Sequence, residues 1–323
     1  MNKVQEQKEL WISADDGAKL FMRRWIPEQV PVAVVQIVHG MAEHSERYNR
    51  FATRLCTGAG IEVWAADLRG HGKTADPSIN DAAHGGLLGH CADVNGNTRV
   101  TADIDCINRS IKKLHPDKPF FLMGHSWGSL LVQNYIEHYN YPLSGCILSG
   151  TRGPDGFRVR IGAPIMRAIA FLTGPRGKSK LARALMDGAF NKAFKPVRTA
   201  FDWISRDKDE VDRYVADTLC HNLCSAGFYR DLSVLISKIH RPECIEGIPL
   251  GLPLYIFSGS ADPVGDMGIS PTALVNVYRE RGIKDLEFVL YPDARHETLN
   301  ETNREEVTEN LLNWILRHCE TGK

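Results

Sequence analysis

Ser126 lies in a short segment whose residue types suit nucleophilic catalysis. Residues 124–128 read Gly-His-Ser-Trp-Gly, a G-x-S-x-G pattern. The apolar run 119–123 precedes the pattern and the helix-forming run 129–139 follows it. The pattern therefore falls at a strand-to-helix turn, where a strained backbone exposes the serine hydroxyl and the two glycines allow tight packing. We predict that Ser126 is a nucleophile.

A serine hydroxyl is a weak nucleophile at neutral pH, so it needs a histidine as base and a carboxylate that orients the base. In proteins with this turn, the carboxylate and then the histidine follow the serine along the chain, each in a loop after a strand. Asp262 follows the strand-like run 254–257, and His296 follows the run 288–290. These positions predict a triad with Ser126.

Two other carboxylates are alternatives to Asp262. Asp266 lies in the same loop, farther from the strand end, and Asp293 precedes His296 by three residues. Histidines that precede the nucleophile come too early in the chain to be the base. His125 lies inside the turn itself, and we expect its side chain to point away from the nucleophile.

The negatively charged intermediate of acyl transfer needs two backbone N–H donors, which form an oxyanion hole. One donor is expected from Trp127, the residue after the nucleophile, and the other from the loop after the third strand. The strand-like run 32–38 continues into His39, Gly40 and Met41. Gly40 lets the backbone bend close to the site, and the Met41 N–H is the predicted second donor.

Strand-like and helix-like runs alternate along most of the chain. The predicted strands are 10–14, 20–26, 32–38, 61–66, 119–123, 145–149, 252–258 and 286–290, and the predicted helices are 48–58, 93–114, 129–139, 272–281 and 301–317. The turn residues 15–17 join the first two strands as a hairpin. The rest of the alternation predicts an α/β fold with a mostly parallel central sheet flanked by helices.

The alternation stops between residues 152 and 240, where helix formers and Gly-Pro pairs predominate. We predict that this segment, called the insertion below, is helical and lies on the sheet. The predicted domains are a first core part (1–151), the insertion (152–240) and a second core part (241–323).

Composition and charge restrict the classes of protein that fit. The chain has 323 residues, 43% of them hydrophobic, with 39 basic and 39 acidic side chains. This balance gives no indication of a nucleic-acid partner, and no apolar run is long enough to cross a bilayer. The polar residues 1–9 lack the apolar core of a secretory signal, so we predict a cytoplasmic protein.

The eight cysteines form no disulfide pattern. Cys220, His221 and Cys224 lie close enough in sequence to suggest a metal site, but we interpret the cysteines as small buried apolar residues of a reducing compartment. Residues 70–74 contain Gly-Lys-Thr, yet Asp67 occupies the position of the first P-loop glycine. Neither H-E-x-x-H nor a G-x-G-x-x-G after the first strand occurs, so no metal or cofactor is predicted.

Several segments together resemble one known family. Residues 39–44 with Arg47-Tyr48 resemble the H-G-x-x-E-H-x-x-R-Y signature of monoacylglycerol lipases and bacterial lysophospholipases. Residues 67–72 resemble the D-x-R-G-H-G segment of that group, and the G-x-S-x-G turn, Asp262 and His296 fall in register. The resemblance implies an α/β-hydrolase fold in which the insertion is a helical cap over the site.

The same resemblance implies roles for individual residues. It implies the Ser126, Asp262 and His296 triad and the oxyanion donors Met41 and Trp127. The residues expected to support the oxyanion loop are His39, Gly40, Glu43, His44 and Arg69. The chain departs from the lipases at Trp127, where they usually carry methionine, and at Ser129, where glycine is common; both changes predict a bulkier wall of the acyl pocket.

The first half of the insertion is basic. Between residues 152 and 200, eleven Lys and Arg residues accompany only two acidic residues, Asp155 and Asp187. Apolar residues at helical spacing lie in the same stretch: Ile161, Ile165, Met166, Ile169 and Leu172. We favour packing of this face on the core, with solvated charges around it. The alternative is a cap that makes transient contact with an anionic lipid surface.

The predicted function is hydrolysis of carboxylic esters of lipids through an acyl-enzyme on Ser126, without a cofactor. A small-molecule monoacylglycerol or lysophospholipid is the favoured substrate. An aminopeptidase-like amidase, a perhydrolase or an acyltransferase could use the same triad, because a fold does not fix the reaction. A ligand-binding relative without catalysis is the remaining alternative.

Overall fold

The computed structural model describes residues 4–154, 156–186 and 188–320. Asp155 and Asp187, the two acidic residues of the basic stretch, lie outside these ranges. Within the described residues, no helix combines the length and apolar character needed to cross a membrane.

Eight strands form one central sheet. They are β1 (Val4–Ser13), β2 (Lys19–Pro27), β3 (Ala33–Val38), β4 (Ile61–Ala66), β5 (Phe120–His125), β6 (Gly145–Ser149), β7 (Leu254–Gly259) and β8 (Leu286–Tyr291). Their order in the sheet is β1-β2-β4-β3-β5-β6-β7-β8. β2 runs antiparallel to both of its neighbours, and every pair from β4–β3 to β7–β8 is parallel. The prediction of a mostly parallel sheet is confirmed.

Helices pack on both faces of this sheet. Those outside the insertion are α1 (Asn49–Ala59), α2 (Gly96–Leu114), α3 (Trp127–His138), α8 (Pro242–Ile245), α9 (Ile269–Arg281) and α10 (Arg304–Glu320), and those inside it are α4 (Gly156–Thr173), α5 (Lys180–Met186), α6 (Lys208–Ala216) and α7 (Ala226–Lys238). Among the described residues, every strand lies outside 152–240. The exact domain limits stay a prediction.

The strands near the site are buried because helices cover both of their faces. Every residue of β3, β4, β5, β6 and β7 is buried, as expected for parallel strands. Successive residues of β5 face opposite sides: Leu122 packs with Ile104 of α2 and Leu131 of α3, whereas Phe121 packs with Trp314 of α10 at 5.9 Å between ring centroids. Burial of each such side chain stabilises the fold by about 1.5–3 kcal/mol.

Candidate active site

Ser126 alone connects β5 to α3. Its backbone angles are φ 52° and ψ −121°, a combination that costs a non-glycine residue about 1–3 kcal/mol. The Ser126 N–H donates to the Ser149 carbonyl of β6 at 2.9 Å, and the Ser126 carbonyl accepts from the Ser129 N–H at 2.9 Å. The turn is therefore held by the sheet on one side and by the helix on the other, and Ser126 itself is partly exposed.

The two glycines of the pattern are required by close backbone contacts. A Cβ on Gly128 would lie 2.2 Å from the Val38 carbonyl oxygen, and a Cβ on Gly124 would lie 2.5 Å from the Gly128 carbonyl oxygen. Neither contact is sterically possible without a backbone shift. Close packing of β5 and α3 against the end of β3 therefore explains why glycine occupies both positions of the pattern.

From its sequence position, Ser129 was expected only to make the wall of the acyl pocket bulkier. In the structure, its side chain also forms hydrogen bonds. Its hydroxyl donates to the Ser126 carbonyl at 2.6 Å and lies 2.7 Å from the Thr151 hydroxyl, which accepts from the Gln133 amide at 2.8 Å. This chain of hydrogen bonds fixes the carbonyl of the predicted nucleophile. A glycine at position 129 could not provide it.

His296 and Asp262 lie together at the carboxyl ends of β8 and β7. His296 Nδ1 is 2.9 Å from Asp262 Oδ2, and the two residues are 3% and 0% exposed. Asp262 Oδ1 accepts from the Val264 N–H at 2.8 Å. Of the two alternatives, Asp293 is exposed and Asp266 lines a different cleft. The carboxylate beside the histidine is Asp262.

The surroundings of His296 set its protonation. Burial of the ring lowers its pKa, but the charge of Asp262 and the hydrogen bond to it, together with Glu297, raise the pKa above the usual 6.5. The Nδ1–H is directed at Asp262, so Nε2 is the nitrogen left to accept a proton. His296 and Ser126 line the same cleft, called the Ser126 cleft below.

His125 is a site residue that the sequence argument missed. Its ring lies 4.8 Å from the His296 ring between centroids and lines the Ser126 cleft, although we expected it to point away from the nucleophile. Burial, followed by the neighbouring His296, lowers the pKa of His125 to about 4. A neutral ring therefore packs against the predicted base. A Cβ on Gly150 would lie only 3.1 Å from both rings, and the φ of 54° at this position favours glycine.

The oxyanion loop, residues 39–44, lies directly against Ser126. A Cβ on Gly40 would be 3.2 Å from the Ser126 Cβ. The Leu68 N–H donates to His39 Nε2 at 2.9 Å, so His39 Nδ1 carries the proton and donates to the Gly40 carbonyl at 2.7 Å. No hydrogen bond between described residues uses the Met41 N–H.

Trp127 is the first residue of α3, so its N–H has no acceptor within the helix. Its indole N–H donates to Asn97 Oδ1 at 2.9 Å, and its ring packs 4.9 Å from Phe228 between centroids. The side chain is 2% exposed. Trp127 is therefore a fixed part of the cleft wall.

Glu43 anchors the oxyanion loop. Its Oε1 accepts from the Gly40 N–H at 2.6 Å and from the Tyr48 hydroxyl at 2.9 Å, and its Oε2 accepts from Arg47 at 2.9 Å. Burial raises the pKa of this carboxyl, but Arg47 and nearby histidines outweigh burial and lower it to about 2. Arg47 also donates to both carboxylate oxygens of Glu297, each at 2.6 Å. Sequence reasoning did not predict this link.

His44 and Arg69 have partners that the resemblance did not indicate. His44 Nε2 lies 2.7 Å from Asp217 Oδ2 of the insertion. The Arg69 guanidinium donates to Asp103 of α2 and to Asp16 in the β1–β2 turn at 2.6–2.9 Å. Arg69 thus joins three segments of the core, and its ion pairs do not reach the oxyanion loop. Support of the oxyanion loop by Arg69 stays a prediction.

Backbone hydrogen bonds connect the insertion to the oxyanion loop and to the loop that carries His296. The Trp203 and Ile204 carbonyls accept from the N–H groups of His296 (3.4 Å) and Glu297 (2.7 Å). The Ala42 carbonyl of the oxyanion loop accepts from the His221 N–H at 2.8 Å. The insertion is therefore attached to both loops by backbone hydrogen bonds.

A second cleft, called the α4 cleft, lies beside the Ser126 cleft and beneath α4. Both are lined by Arg152, Met186, Phe190 and Ile236. The α4 cleft is otherwise mainly apolar, with Ile161, Ile165 and Leu185 in its wall. The two clefts therefore adjoin at a mostly apolar boundary.

The chain is similar to several known hydrolases. Residues 29–303 match the family model described as serine aminopeptidase, S33. The chain is 29% identical over 306 residues to a monoacylglycerol lipase of Mycolicibacterium smegmatis, covering 94% of each chain. It is 30% identical over 266 residues to the monoglyceride lipase of Mus musculus, covering 78% of this chain and 72% of the mouse protein.

A solved structure is similar over nearly the whole chain. A thermostable carboxyl esterase from Bacillus coagulans, in complex with glycerol, superposes with a TM-score of 0.88 at 27% identity and covers 98% of this chain and 99% of its own. The α/β-hydrolase fold predicted from the sequence is confirmed. This chain belongs to the serine aminopeptidase S33 family and is a serine hydrolase of the α/β-hydrolase fold, similar to monoacylglycerol lipases.

Proposed function

We propose that this protein hydrolyses carboxylic esters of lipids, with monoacylglycerol or lysophospholipid as substrate, through an acyl-enzyme on Ser126. The observation that carries the proposal is the buried 2.9 Å pair of His296 and Asp262 beside a strained, partly exposed serine. The similarity to proteins named monoacylglycerol lipase supports a lipid ester as substrate. The apolar residues that border both clefts support an acyl chain as part of the substrate.

In the proposed reaction, His296 Nε2 takes the proton of the Ser126 hydroxyl as its oxygen attacks the ester carbonyl. Asp262 holds the Nδ1–H and stabilises the imidazolium. The N–H groups of Met41 and Trp127 donate to the carbonyl oxygen as it becomes negative; loss of one such donor costs about 10²–10³ in rate. His296 then protonates the leaving alcohol, and a water activated by the same nitrogen releases the fatty acid.

The two ends of the substrate need different surroundings. The apolar residues shared by the two clefts suit the acyl chain, while His221 and Asn222, which also line the Ser126 cleft, can hydrogen-bond to hydroxyls of the alcohol. Trp127 is buried by its bond to Asn97 and its contact with Phe228. We propose that it limits the width of the cleft and not its length.

The experiment has two parts. Labelling by a fluorophosphonate should occur in the wild-type protein and in Ser78→Ala, at an exposed position, and be lost in Ser126→Ala. Hydrolysis rates are then compared for monoacylglycerols, lysophospholipids, aryl esters and aminoacyl anilides. Turnover of the anilides alone would assign an amidase, and absence of labelling would favour a ligand-binding protein.

We also propose that residues 152–240 form a cap that makes transient contact with anionic lipid surfaces. Met166 of α4 is buried at 3%, but Phe171 and Leu172 are 88% and 81% exposed, so the predicted apolar face is only partly packed on the core. Among the basic residues, Arg176 pairs with Asp93 and Arg198 with Asp212. The exposed Lys180 and Lys192 accompany the apolar surface. A cytoplasmic location stays a prediction, which subcellular fractionation can test.

A further inference from the structure

His44, Asp217 and Cys220 bring three metal-ligating atoms together outside the predicted triad. His44 Nε2 lies 2.7 Å from Asp217 Oδ2, and the Cys220 Sγ completes a set whose atoms all lie within 4.8 Å of one another. His44 and Cys220 are 4% and 0% exposed. The Asp217 side chain is 31% exposed, so the set is open to solvent on one side. We propose that these three residues bind Zn²⁺.

The donor set matches the chemistry of zinc. Imidazole nitrogen, thiolate sulfur and carboxylate oxygen are its usual ligands, and bond lengths of about 2.0–2.3 Å place neighbouring donors of a tetrahedron about 3.3–3.6 Å apart. The three atoms therefore need shifts of about 1 Å to reach this geometry. One thiolate and one carboxylate neutralise the Zn²⁺ charge, and the exposed side leaves the fourth position for water.

The ligands are already held on two connected backbone segments. Asp217 Oδ1 accepts from the Leu219 N–H at 2.9 Å, which fixes the orientation of the carboxylate. The Cys220 N–H donates to the Asp217 carbonyl at 3.1 Å and so closes a tight turn. The next residue, His221, donates its N–H to the Ala42 carbonyl at 2.8 Å, two residues before His44. Little chain entropy is lost when a metal joins them.

Protons must move when the metal binds. Cys220 releases its thiol proton to solvent as its sulfur forms the bond to Zn²⁺, and the proton on His44 Nε2 moves to Nδ1. That nitrogen is buried and has no hydrogen-bond partner among the described residues. Metal-bound histidines usually donate from their second nitrogen to an acceptor that strengthens metal binding. Because His44 Nδ1 has no such acceptor among the described residues, we expect weaker binding than at closed structural zinc sites.

The proposed site connects the insertion to the oxyanion loop, since His44 follows Met41 by three residues. Zinc bound there would hold residues 217–221 against this loop and draw His44 towards Cys220. We expect Zn²⁺ to lower the rate of ester hydrolysis reversibly, with recovery on chelation. Sequence reasoning grouped Cys220 with His221 and Cys224, whereas the fold places it beside His44 and Asp217.

The test is a Co²⁺ titration of the chelator-treated full chain, because Co²⁺ replaces Zn²⁺ in tetrahedral sites and a thiolate ligand gives a charge-transfer absorption. The wild type should bind one Co²⁺ with this absorption, and Zn²⁺ should displace it. Cys220→Ser should remove the absorption and weaken Zn²⁺ binding at least tenfold. Cys224→Ser is the matched control, a buried cysteine four residues away, and should bind like the wild type.

A second variant keeps the test decisive if Cys220→Ser does not fold. Asp217→Asn preserves the shape of the side chain, removes its charge and should also weaken Zn²⁺ binding at least tenfold. Wild-type affinity in both variants, or an absorption that disappears in Cys224→Ser, would overturn the proposal. Binding is measured without substrate, so the result is independent of whether the protein hydrolyses lipid esters.

Discussion

Arg47 donates to both carboxylate oxygens of Glu297, each at 2.6 Å, although 250 positions separate the two residues. The same guanidinium binds Glu43, whose other oxygen accepts the Gly40 N–H. Glu297 follows His296 directly. One buried cation therefore fixes the distance between the predicted base and the loop that carries the predicted oxyanion donor.

Arg47→Ala should destabilise the protein by about 3–5 kcal/mol, because it leaves Glu43 and Glu297 as buried charges without a partner. Arg54→Ala is the matched control: its pair with Glu309 is exposed, and loss of such a pair costs about 0–1 kcal/mol. The free energy of unfolding in urea measures both. Equal losses in the two variants would show that the buried pair has no special importance.

Asp262→Asn should lower kcat about 10⁴-fold while the protein stays folded, because the amide no longer holds His296 in the tautomer that accepts a proton. Asp293→Asn lies in the His296 loop but is exposed, and its kcat should stay within about twofold of the wild type, as expected for a surface change. Steady-state kinetics with a soluble aryl ester provide the comparison. A large loss of kcat only in Asp293→Asn would show that Asp293, and not Asp262, orients His296.

The pH dependence of kcat/KM should report His296. Burial lowers the pKa of this ring, but Asp262 and Glu297 raise it above 6.5. The neutral ring is the active base, so activity should rise with pH through a pKa above 6.5. Glu297→Gln removes one of these negative charges and should move the acid limb to lower pH. An unchanged limb in this variant, measured with an uncharged substrate, would contradict the assignment.

Glu137 of α3 should make stability depend on pH. It is 6% exposed, neither carboxylate oxygen has a hydrogen-bond partner among the described residues, and burial raises its pKa to about 9. The folded state thus binds the proton more tightly than the unfolded state, in which the pKa of this side chain is near 4.5. The stability conferred by this proton is complete below pH 4.5 and is lost as pH rises towards 9, by about 1.4 kcal/mol per pH unit.

Glu137→Gln keeps the shape of the side chain and stays neutral. Its Tm should exceed that of the wild type by several degrees at pH 8 and match it near pH 4. Glu280→Gln, at an exposed position of α9, should match the wild type at both pH values. A Tm difference that is independent of pH would rule out titration of Glu137 as the cause.

The double variant Phe171→Ser, Leu172→Ser should bind less to lipid vesicles, because it removes two strongly exposed apolar side chains of α4. Val30→Ser is the control, since Val30 is 76% exposed on the connection between β2 and β3. Co-sedimentation with neutral and with anionic vesicles measures binding. Equal binding of wild type and double variant, or no preference for anionic lipid, would speak against contact through the insertion.

The sequence predicted the sheet and the triad positions for one physical reason. Parallel strands are continuous apolar runs, and the residues that follow them collect at one edge of the sheet. Asp262 and His296 meet there, 2.9 Å apart. Boundaries were less accurate: α2 begins at Gly96 and not at 93, because Asn95 adopts a left-handed conformation and the Gly96 N–H donates to Asp231.

Other contacts were beyond the reach of sequence reasoning. The bonds from Arg47 to Glu297 and from His44 to Asp217 join residues far apart in the chain, and such pairs leave no local periodicity. The apolar face of α4 was predicted as one surface, yet Met166 is buried and Leu172 is exposed. Packing against α7 decides which part is covered, and a single helix does not encode the position of its neighbour.

The backbone bonds from His296 and Glu297 to the Trp203 and Ile204 carbonyls restrict how a substrate can reach the serine. Movement of residues 203–204 away from the site would break these hydrogen bonds to the loop of the predicted base. A substrate entrance on that side would therefore disturb His296 whenever it opened. No hydrogen bond between described residues joins α4 or α5 to His296. Entry and release of an acyl chain along α4 and α5 would therefore disturb the predicted base least. The exposed apolar side chains lie on this side of the cleft.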